Sequence, residues 1–376
     1  METERFEAVK MNKKERFLTA IMGGTPDMVP VAPLIADRFA YALLHRTGWK
    51  AVFEAHQIVG SIYFRGPTGL GFDMEWPNGW SEGSRIIEKS GTRETIENVI
   101  KTPLGNLTSK ATCGMIPEDP TVCKTVESPI KTEKDYKIYK AYWEEWLRRA
   151  KPNLHDIREA YRVMGNDGVA NVGIGSAFSH VVYARGIPDI FIDLYKRGEV
   201  VEDLLETLQL VTYKQIEAFM ECPSEVVYID AWGAFDLSPN HFRKLVFPEL
   251  KKVVDRVRED KDKFVGFYMV GKTRALLPIA IEANPHFIEP FEHIGDLSLA
   301  EAKKLYGSKI CVMGNFSPMI LALGNLEEAK QEALRCLNEG MGRGGYVLVT
   351  GDEVPGNARL ENLKTMVETA EKHGRY

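Results

Sequence analysis

From about residue 165 onward, short apolar runs alternate with longer segments of helical period. The runs are VANVGIG (169–175), EVVYID (225–230), KFVGFY (263–268), HFIEP (286–290), KICVMGN (309–315) and GYVLVT (345–350). Between them lie stretches such as VEDLLETLQLVTYKQIEAFM and LEEAKQEALRCLNEG, which read as helices packed by one face. Such alternation argues for a parallel sheet, because each parallel pair needs a crossover connection. Two earlier runs, MVPVAPL (28–34) and GFDMEW (71–76), bring the strand candidates to eight. Eight units predict an α/β fold of the (β/α)8 TIM-barrel type; six or seven strands plus an insertion would give a similar pattern.

Residues 80–165 break this rhythm. SRIIEKSGTRETIENVIKTPLGNLTSKAT alternates with period two, with turn signals at Ser90-Gly91 and Pro103-Leu104-Gly105. This predicts a β-hairpin insertion after strand 2, followed by helices in KDYKIYKAYWEEWLRRA and LHDIREAYRVMG. The start of the chain reads as an amphipathic helical extension, with Phe17, Ile21 and Met22 on one side. No linker or low-complexity tract interrupts the chain, so residues 1–376 are read as one domain.

Composition changes the picture mainly by exclusion. The chain is 44% hydrophobic and 27% charged, as expected of a soluble globular protein. A formal net charge of −5 offers no basic field for nucleic acid. No run approaches the roughly 18 apolar residues of a membrane span. The charged N-terminus lacks an apolar signal region. Five scattered cysteines without a CxxC suggest a reducing cytoplasm, with Cys113 and Cys123 as ordinary thiols. A homodimer is compatible with this composition.

In a barrel of this kind, function collects at the C-terminal ends of the strands. Those ends carry Asp73, Glu75 and Trp76; Ser176, Phe178 and His180; Asp230 and Trp232; Tyr268 and Met269; Glu289; Asn315; and Asp352 and Glu353. Acids and aromatics dominate. Asp230 ends an apolar run and is followed by Ala-Trp-Gly, where Gly233 lets the backbone bend. The plainer reading is that Asp230 caps the turn after its strand. Trp232 would likewise serve as a lid over the core, His180 as a structural histidine and Asn315 as a turn residue. A metal could join Asp230, Glu289 and Asp352 through oxygen ligands. A second acid–acid–histidine set, Glu206, Glu221 and His241, is weaker. On one helix the two glutamates lie roughly 22 Å apart at about 1.5 Å per residue.

The second half of the chain resembles a known family. VVYIDAWGAFDLSPNHFRKLVFPELKKVVDRV, SLAEAKKLYGSKICVMGNFSP and PGNARLENLKTMVETAEKHGRY are similar to segments of the uroporphyrinogen decarboxylase superfamily. NKKERFLTAIMGGTPDMVPVAP near the start resembles it more weakly. The resemblance implies an eight-stranded (β/α) barrel, in agreement with the strand count. The decarboxylase branch carries an arginine-rich segment after its first strand to grip substrate carboxylates. Here that place reads LIADRFAYALL, with Arg38 as its cation. Thiol-alkylating methyltransferases of the superfamily hold zinc with His-x-Cys after the fifth strand and a Cys after the eighth. Here YMVGKT puts Tyr268 and Val270 at the first two places, and TGDEVP puts Asp352 at the third. A phenol, an aliphatic side chain and a carboxylate are not the nitrogen and thiolate donors of such a site.

The resemblance then implies the methyltransferases that move a methyl group from a donor to the Co(I) corrinoid, a cobalamin, of a separate small corrinoid-binding protein. An aryl methyl ether, a methoxylated aromatic, suits the aromatic mouth. Asp230, Asp352 and Glu289 are the expected catalytic acids. Trp232, Tyr268, Phe178, His180, Phe235, Phe291, Met269 and Asn315 are the expected substrate contacts. The competing expectations are a methylcorrinoid-to-thiol methyltransferase, a uroporphyrinogen decarboxylase, and a barrel that binds a corrinoid partner without catalysis.

Overall fold

The computed structural model describes residues 10–64, 70–116 and 119–376; residues 1–8 of the predicted N-terminal extension lie outside them, as does Val9. The strands, in chain order, are β1 (Gly71–Asp73), β2 (Ser81–Ser90), β3 (Arg93–Thr102), β4 (Gly105–Cys113), β5 (Cys123–Glu127) and β6 (Lys151–Asn153). They continue as β7 (Asn171–Gly175), β8 (Val226–Asp230), β9 (Phe264–Tyr268), β10 (Phe287–Phe291), β11 (Cys311–Phe316) and β12 (Tyr346–Thr350). The last six form one parallel sheet in sequential order, with a helix after each strand.

Two short extended segments close that sheet into a ring. Ala32 N–H donates to Leu348 O (3.0 Å) and Leu348 N–H to Pro30 O (2.9 Å), which seats residues 30–32 beside β12. Ile62 N–H donates to Val31 O (2.8 Å), and Val169 N–H to Tyr63 O (2.7 Å), which joins the second segment to the start of β7. The eight-membered barrel is thus made of six regular strands and two bridging segments.

The second barrel position corrects the sequence reading. It is occupied by the residues around Tyr63, not by GFDMEW. Residues 71–73 of that run pair antiparallel with β6 outside the ring. Trp76 stacks on Tyr142 at 4.9 Å and belongs to the seam between barrel and insertion. The insertion itself is larger than a hairpin: β2 to β5 form a four-stranded antiparallel sheet. Both predicted turns lie within it, at Ser90–Arg93 and Thr102–Gly105. The β4–β5 register sets Cys113 opposite Cys123, and the two form a disulfide. That overturns their reading as ordinary thiols and removes an argument for a reducing compartment.

One end of the barrel is filled. The helix Lys13–Ile21 starts at a capping box, in which Asn12 and Glu15 each accept the other's backbone N–H. It buries Phe17 and Ile21 against Phe64, Val169, Val226, Phe264, Phe287 and Cys311 in one apolar cluster. Met22, expected on the same side, is 57% exposed. Burying Phe17 and Ile21 stabilises by about 1.5–3 kcal/mol for each side chain. With the N-terminal end of the strands plugged, the C-terminal end is where a site can open.

Candidate functional site

Alternation along a strand sends every second side chain inward. On β8, Val226 and Tyr228 contact the interior cluster, while Val227 and Ile229 pack outward against helices. Asp230 continues the inward column at the open end. Phe264, Gly266 and Tyr268 make the matching column on β9, and Phe287 and Glu289 that on β10. Strand register pairs Asp230 with Tyr268 and Tyr268 with Glu289, so the three stand in one row. Glu289 is fully buried, and Asp230 is half-buried.

The β7 side of this row is kept open by glycine. A Cβ at Gly173 would lie 2.4 Å from the Tyr228 hydroxyl, and one at Gly175 3.0 Å from His180 Nε2. Those clearances let Tyr228 and His180 lean across β7. Burial pushes the His180 imidazole down to about 4, so it is neutral near pH 7. Its ring meets Trp143 edge-on at 5.4 Å.

Asp230 does cap its own turn. Its Oδ1 accepts the Trp232 N–H at 2.8 Å, and its carbonyl accepts from Ser179 Oγ at 2.7 Å. These bonds fix the carboxylate at the mouth rather than withdrawing it. Gly233 follows at φ +82, where a Cβ would come within 2.9 Å of Val182. Both the conformation and the close approach therefore require glycine. The turn lays Trp232 flat on Tyr183, with centroids 4.7 Å apart and planes 13° from parallel. Burial, and then the negative charge of Asp230, hold the Tyr183 phenol well above its ordinary range.

The far rim is acidic. Tyr268 Oη donates to Asp352 Oδ1 at 3.4 Å, and the Glu353 N–H donates to the same oxygen at 2.7 Å. Glu292 accepts the Gly271 N–H. Its carboxyl is raised by burial, the Gly271 bond opposing, with a further upward push from Asp352. Arg38 lies 3.5 Å from Asp119 and 3.9 Å from Glu353. It borders a cavity of about 740 Å³ with Tyr41, His45, Ile116 and Asn357.

The expected residues therefore divide. Asp230, Glu289, Tyr268, Asp352, Trp232 and His180 gather at the mouth, and Phe235 packs against Gly271, 3.1 Å from where its Cβ would lie. Phe178, Phe291 and Met269 do not: all three are buried in the layer between sheet and helices. Asn315 is committed to Arg335, whose Nη2 donates to its Oδ1 at 2.9 Å, on the helix side of β11. As a metal set, Asp230, Glu289 and Asp352 share the rim without converging. Among the described residues, three potential ligand atoms come within 4.8 Å of one another only at His155, Asp156 and Glu159, on an exposed helical turn. Glu206, Glu221 and His241 stay apart. The helix Gly198–Met220 is continuous, with Glu221 as its C-cap, and His241 pairs with Ser238 on another helix. Tyr183, Tyr228 and Glu292 were missed. Tyr228 was legible from the inward alternation of β8; the other two required the folded turns.

The uroporphyrinogen decarboxylase (URO-D) family model matches residues 113–373. A uroporphyrinogen decarboxylase of Trichlorobacter lovleyi is 25% identical over 255 residues, covering 64% of this chain and 71% of that protein. One of Geobacter metallireducens is 24% identical, covering 46% and 50%. The chain thus spans about half to seven tenths of these curated relatives. A methyltransferase from Methanosarcina mazei shares the fold, with a TM-score of 0.66 at 17% identity over 96% of this chain and 99% of that one. No helix among the described residues is long and apolar enough to cross a membrane. With the barrel, its plug and its strand-end row in place, the matched span from residue 113 to 373 shows that the chain belongs to the uroporphyrinogen decarboxylase family.

Proposed function

We propose that the protein is a methyltransferase that takes a methyl group from a methoxylated aromatic compound and passes it to the corrinoid of a separate small carrier protein. The observation that carries this reading is the described mouth lining: an acid row, Asp230 and Glu289 with Tyr268, flanked by the Trp232–Tyr183 stack. The near full-length likeness to a protein named a methyltransferase supports it.

The reduced corrinoid supplies the nucleophile that receives the methyl carbon. The chain's part is to hold the ring and help the phenolate leave. That leaving group is poor, since its conjugate acid has a pKa of about 10. Trp232 offers an indole face for the ring. Asp230, fixed by the Trp232 N–H, would deliver a proton to the ether oxygen in its protonated form, or as a carboxylate would position another acid that holds one. Glu292, whose carboxyl is raised by burial, is another acid on this rim that keeps its proton to higher pH than an ordinary carboxyl. As the C–O bond breaks, its electron pair stays on oxygen, which takes that proton to give the phenol.

The relatives' names favour a second reading, decarboxylation of a porphyrinogen. A substrate bearing many carboxylates needs several cations, whereas the described rim is acidic and its Arg38 is already placed between Asp119 and Glu353. The test incubates the protein with a reduced corrinoid carrier and a panel of methoxybenzoates, and measures released phenol by chromatography. Phenol release is expected. Turnover of a methylthiol or methylamine instead, or CO2 release from uroporphyrinogen, would replace the proposal.

A further inference from the structure

At the plugged end of the barrel, opposite the mouth, lies a cavity of about 780 Å³. Its lining includes Arg258, Lys303, Lys304, Lys309, Arg343 and His286. This concentration of cations sits on a chain whose formal charge is −5. Some exposed cations elsewhere are matched with acids, as in Arg85–Glu97, Arg243–Glu282 and Arg256–Glu217, and others such as Lys101 and Lys124 stand singly among the described residues. What distinguishes this place is that several such cations line one cavity. Lys304, Lys309 and Arg343 enter no ion pair among the described residues, and Lys303 Nζ is held by the carbonyls of Gly344 and Gly345. The lining acid, Glu339, is already engaged by Arg335 at 3.0 Å and by the Ala300 N–H at 3.3 Å. Asp255, whose charge reaches Arg258, is paired with Lys251.

The neutral donors fit the same ligand. His286 Nδ1 accepts the Val265 N–H at 3.0 Å, so the neutral ring keeps its proton on Nε2 as a donor. Gly342 and Gly345 have positive φ and flank Lys303. A Cβ at Gly342 would meet only Lys303 Cε, at 3.8 Å, so a ligand can approach the backbone there. The floor and rim are partly apolar, with buried Ile310 and with Met22 57% exposed. A cavity in the range of roughly 300–1,000 Å³ suits a small organic molecule. We propose that this cavity binds a phosphate-bearing small molecule, its phosphates held by Lys304, Lys309 and Arg343 and its organic part against Met22 and Ile310. Fork-shaped guanidinium and mobile ammonium donors are the side chains that recognise phosphate oxygens.

The experiment is calorimetric titration of the full chain with inorganic phosphate, pyrophosphate and ATP, repeated at raised salt. Saturable one-to-one binding is expected, tighter for pyrophosphate and ATP than for phosphate, and weakened by salt. The exposed pair Lys309→Ala with Arg343→Ala should keep the melting temperature and weaken pyrophosphate binding by about tenfold or more. Arg38→Ala, at the opposite end, should leave it unchanged. No saturable binding by the native chain, equal affinity in the double variant, or loss of binding in Arg38→Ala would each overturn the proposal.

Discussion

The two ends of the barrel are built from the same strands and do opposite things. At one end the inward columns begin with Val226, Phe264 and Phe287, and the helix Lys13–Ile21 closes over them with Phe17 and Ile21. At the other end the same columns finish in Asp230, Tyr268 and Glu289. Two to four positions along each strand separate an apolar plug from a row of acids and a phenol. The difference teaches that one end of this barrel is built for apolar packing, while the other carries the polar groups on which the proposed chemistry would draw. Changes at the plug should therefore be read in stability, and changes at the mouth in rate.

The largest effect is expected at the plug. Phe17 is fully buried, and its ring lies 4.4 Å from that of Phe64. Phe17→Ala should cost about 3–5 kcal/mol, the lost burial plus the cavity left behind. Denaturant unfolding measures it, with turnover per folded molecule unchanged. A stable variant with impaired turnover would break the division between the two ends.

A second test concerns the wall of the mouth, which unlike the plug contains a buried acid. Glu249 is fully buried and accepts the Ala177 N–H through both oxygens, at 2.9 and 3.1 Å, beneath the helix that carries His180 and Tyr183. Burial lifts its carboxyl to about 7, against the opposing effect of those bonds. Because the folded chain holds this proton more tightly than the unfolded one, its contribution to stability is full below the unfolded value of 4.5. It is lost as pH rises through about 7. Glu249→Gln imitates the protonated acid and removes that dependence. At pH 8 the variant should be the more stable by up to roughly 3 kcal/mol, and near pH 4.5 the two should converge. Unfolding curves at both pH values check this; a pH-independent difference would show that Glu249 titrates normally.

At the acid row, Asp230→Asn keeps the oxygen that accepts the Trp232 N–H and removes the titrating group. Under the proposed function, methyl transfer should slow by about 100-fold, roughly 2.7 kcal/mol of barrier, with a smaller change in substrate affinity. Stability should hold, since the turn is retained. If the rate is nearly native, Asp230 is a turn residue and the proton comes from elsewhere, with Glu292 the next acid to vary.

The same contrast explains what the sequence could and could not reveal. The regular strands were legible because burial on both faces makes continuous apolar runs. Asp230 stood out because it interrupts one. Tyr63 was overlooked because its extended segment makes single bridges and directly follows the apolar helix Trp49–Val59. GFDMEW looks like a strand and is partly one, but its partner is β6, which no local pattern announces. Side-chain direction was lost wherever alternation was carried past a regular register. The β10–β11 pairing shifts between Ile288 and Phe291, and Phe291 lies with the outer layer. Phe178 falls in the first turn of a helix, where helical rather than strand geometry aims it. Cys113 and Cys123 meet only because β4 and β5 pair in that register.

The smallest effect is expected on the far rim, at the positions where the sequence resemblance would look for a zinc ion. Tyr268 Oη donates to Asp352 Oδ1 at 3.4 Å, and the intervening position is the aliphatic Val270. A phenol, a carboxylate and a valine leave too few nitrogen or thiolate donors for that ion. Asp352 has other partners instead: it accepts the Glu353 N–H and contributes to raising Glu292. Its contribution to Glu292 ranks below burial, and Asp352 itself is exposed, so its removal should act weakly. Asp352→Ala is expected to leave zinc per chain unchanged by elemental analysis and to alter the proposed methyl transfer by less than about fivefold. The Glu292 carboxyl should titrate lower in the variant, since a negative neighbour has been removed. Stoichiometric zinc lost on this substitution would show that the far rim holds a metal after all. The mouth would then have to be reread as a Lewis-acid site rather than a proton-donating one.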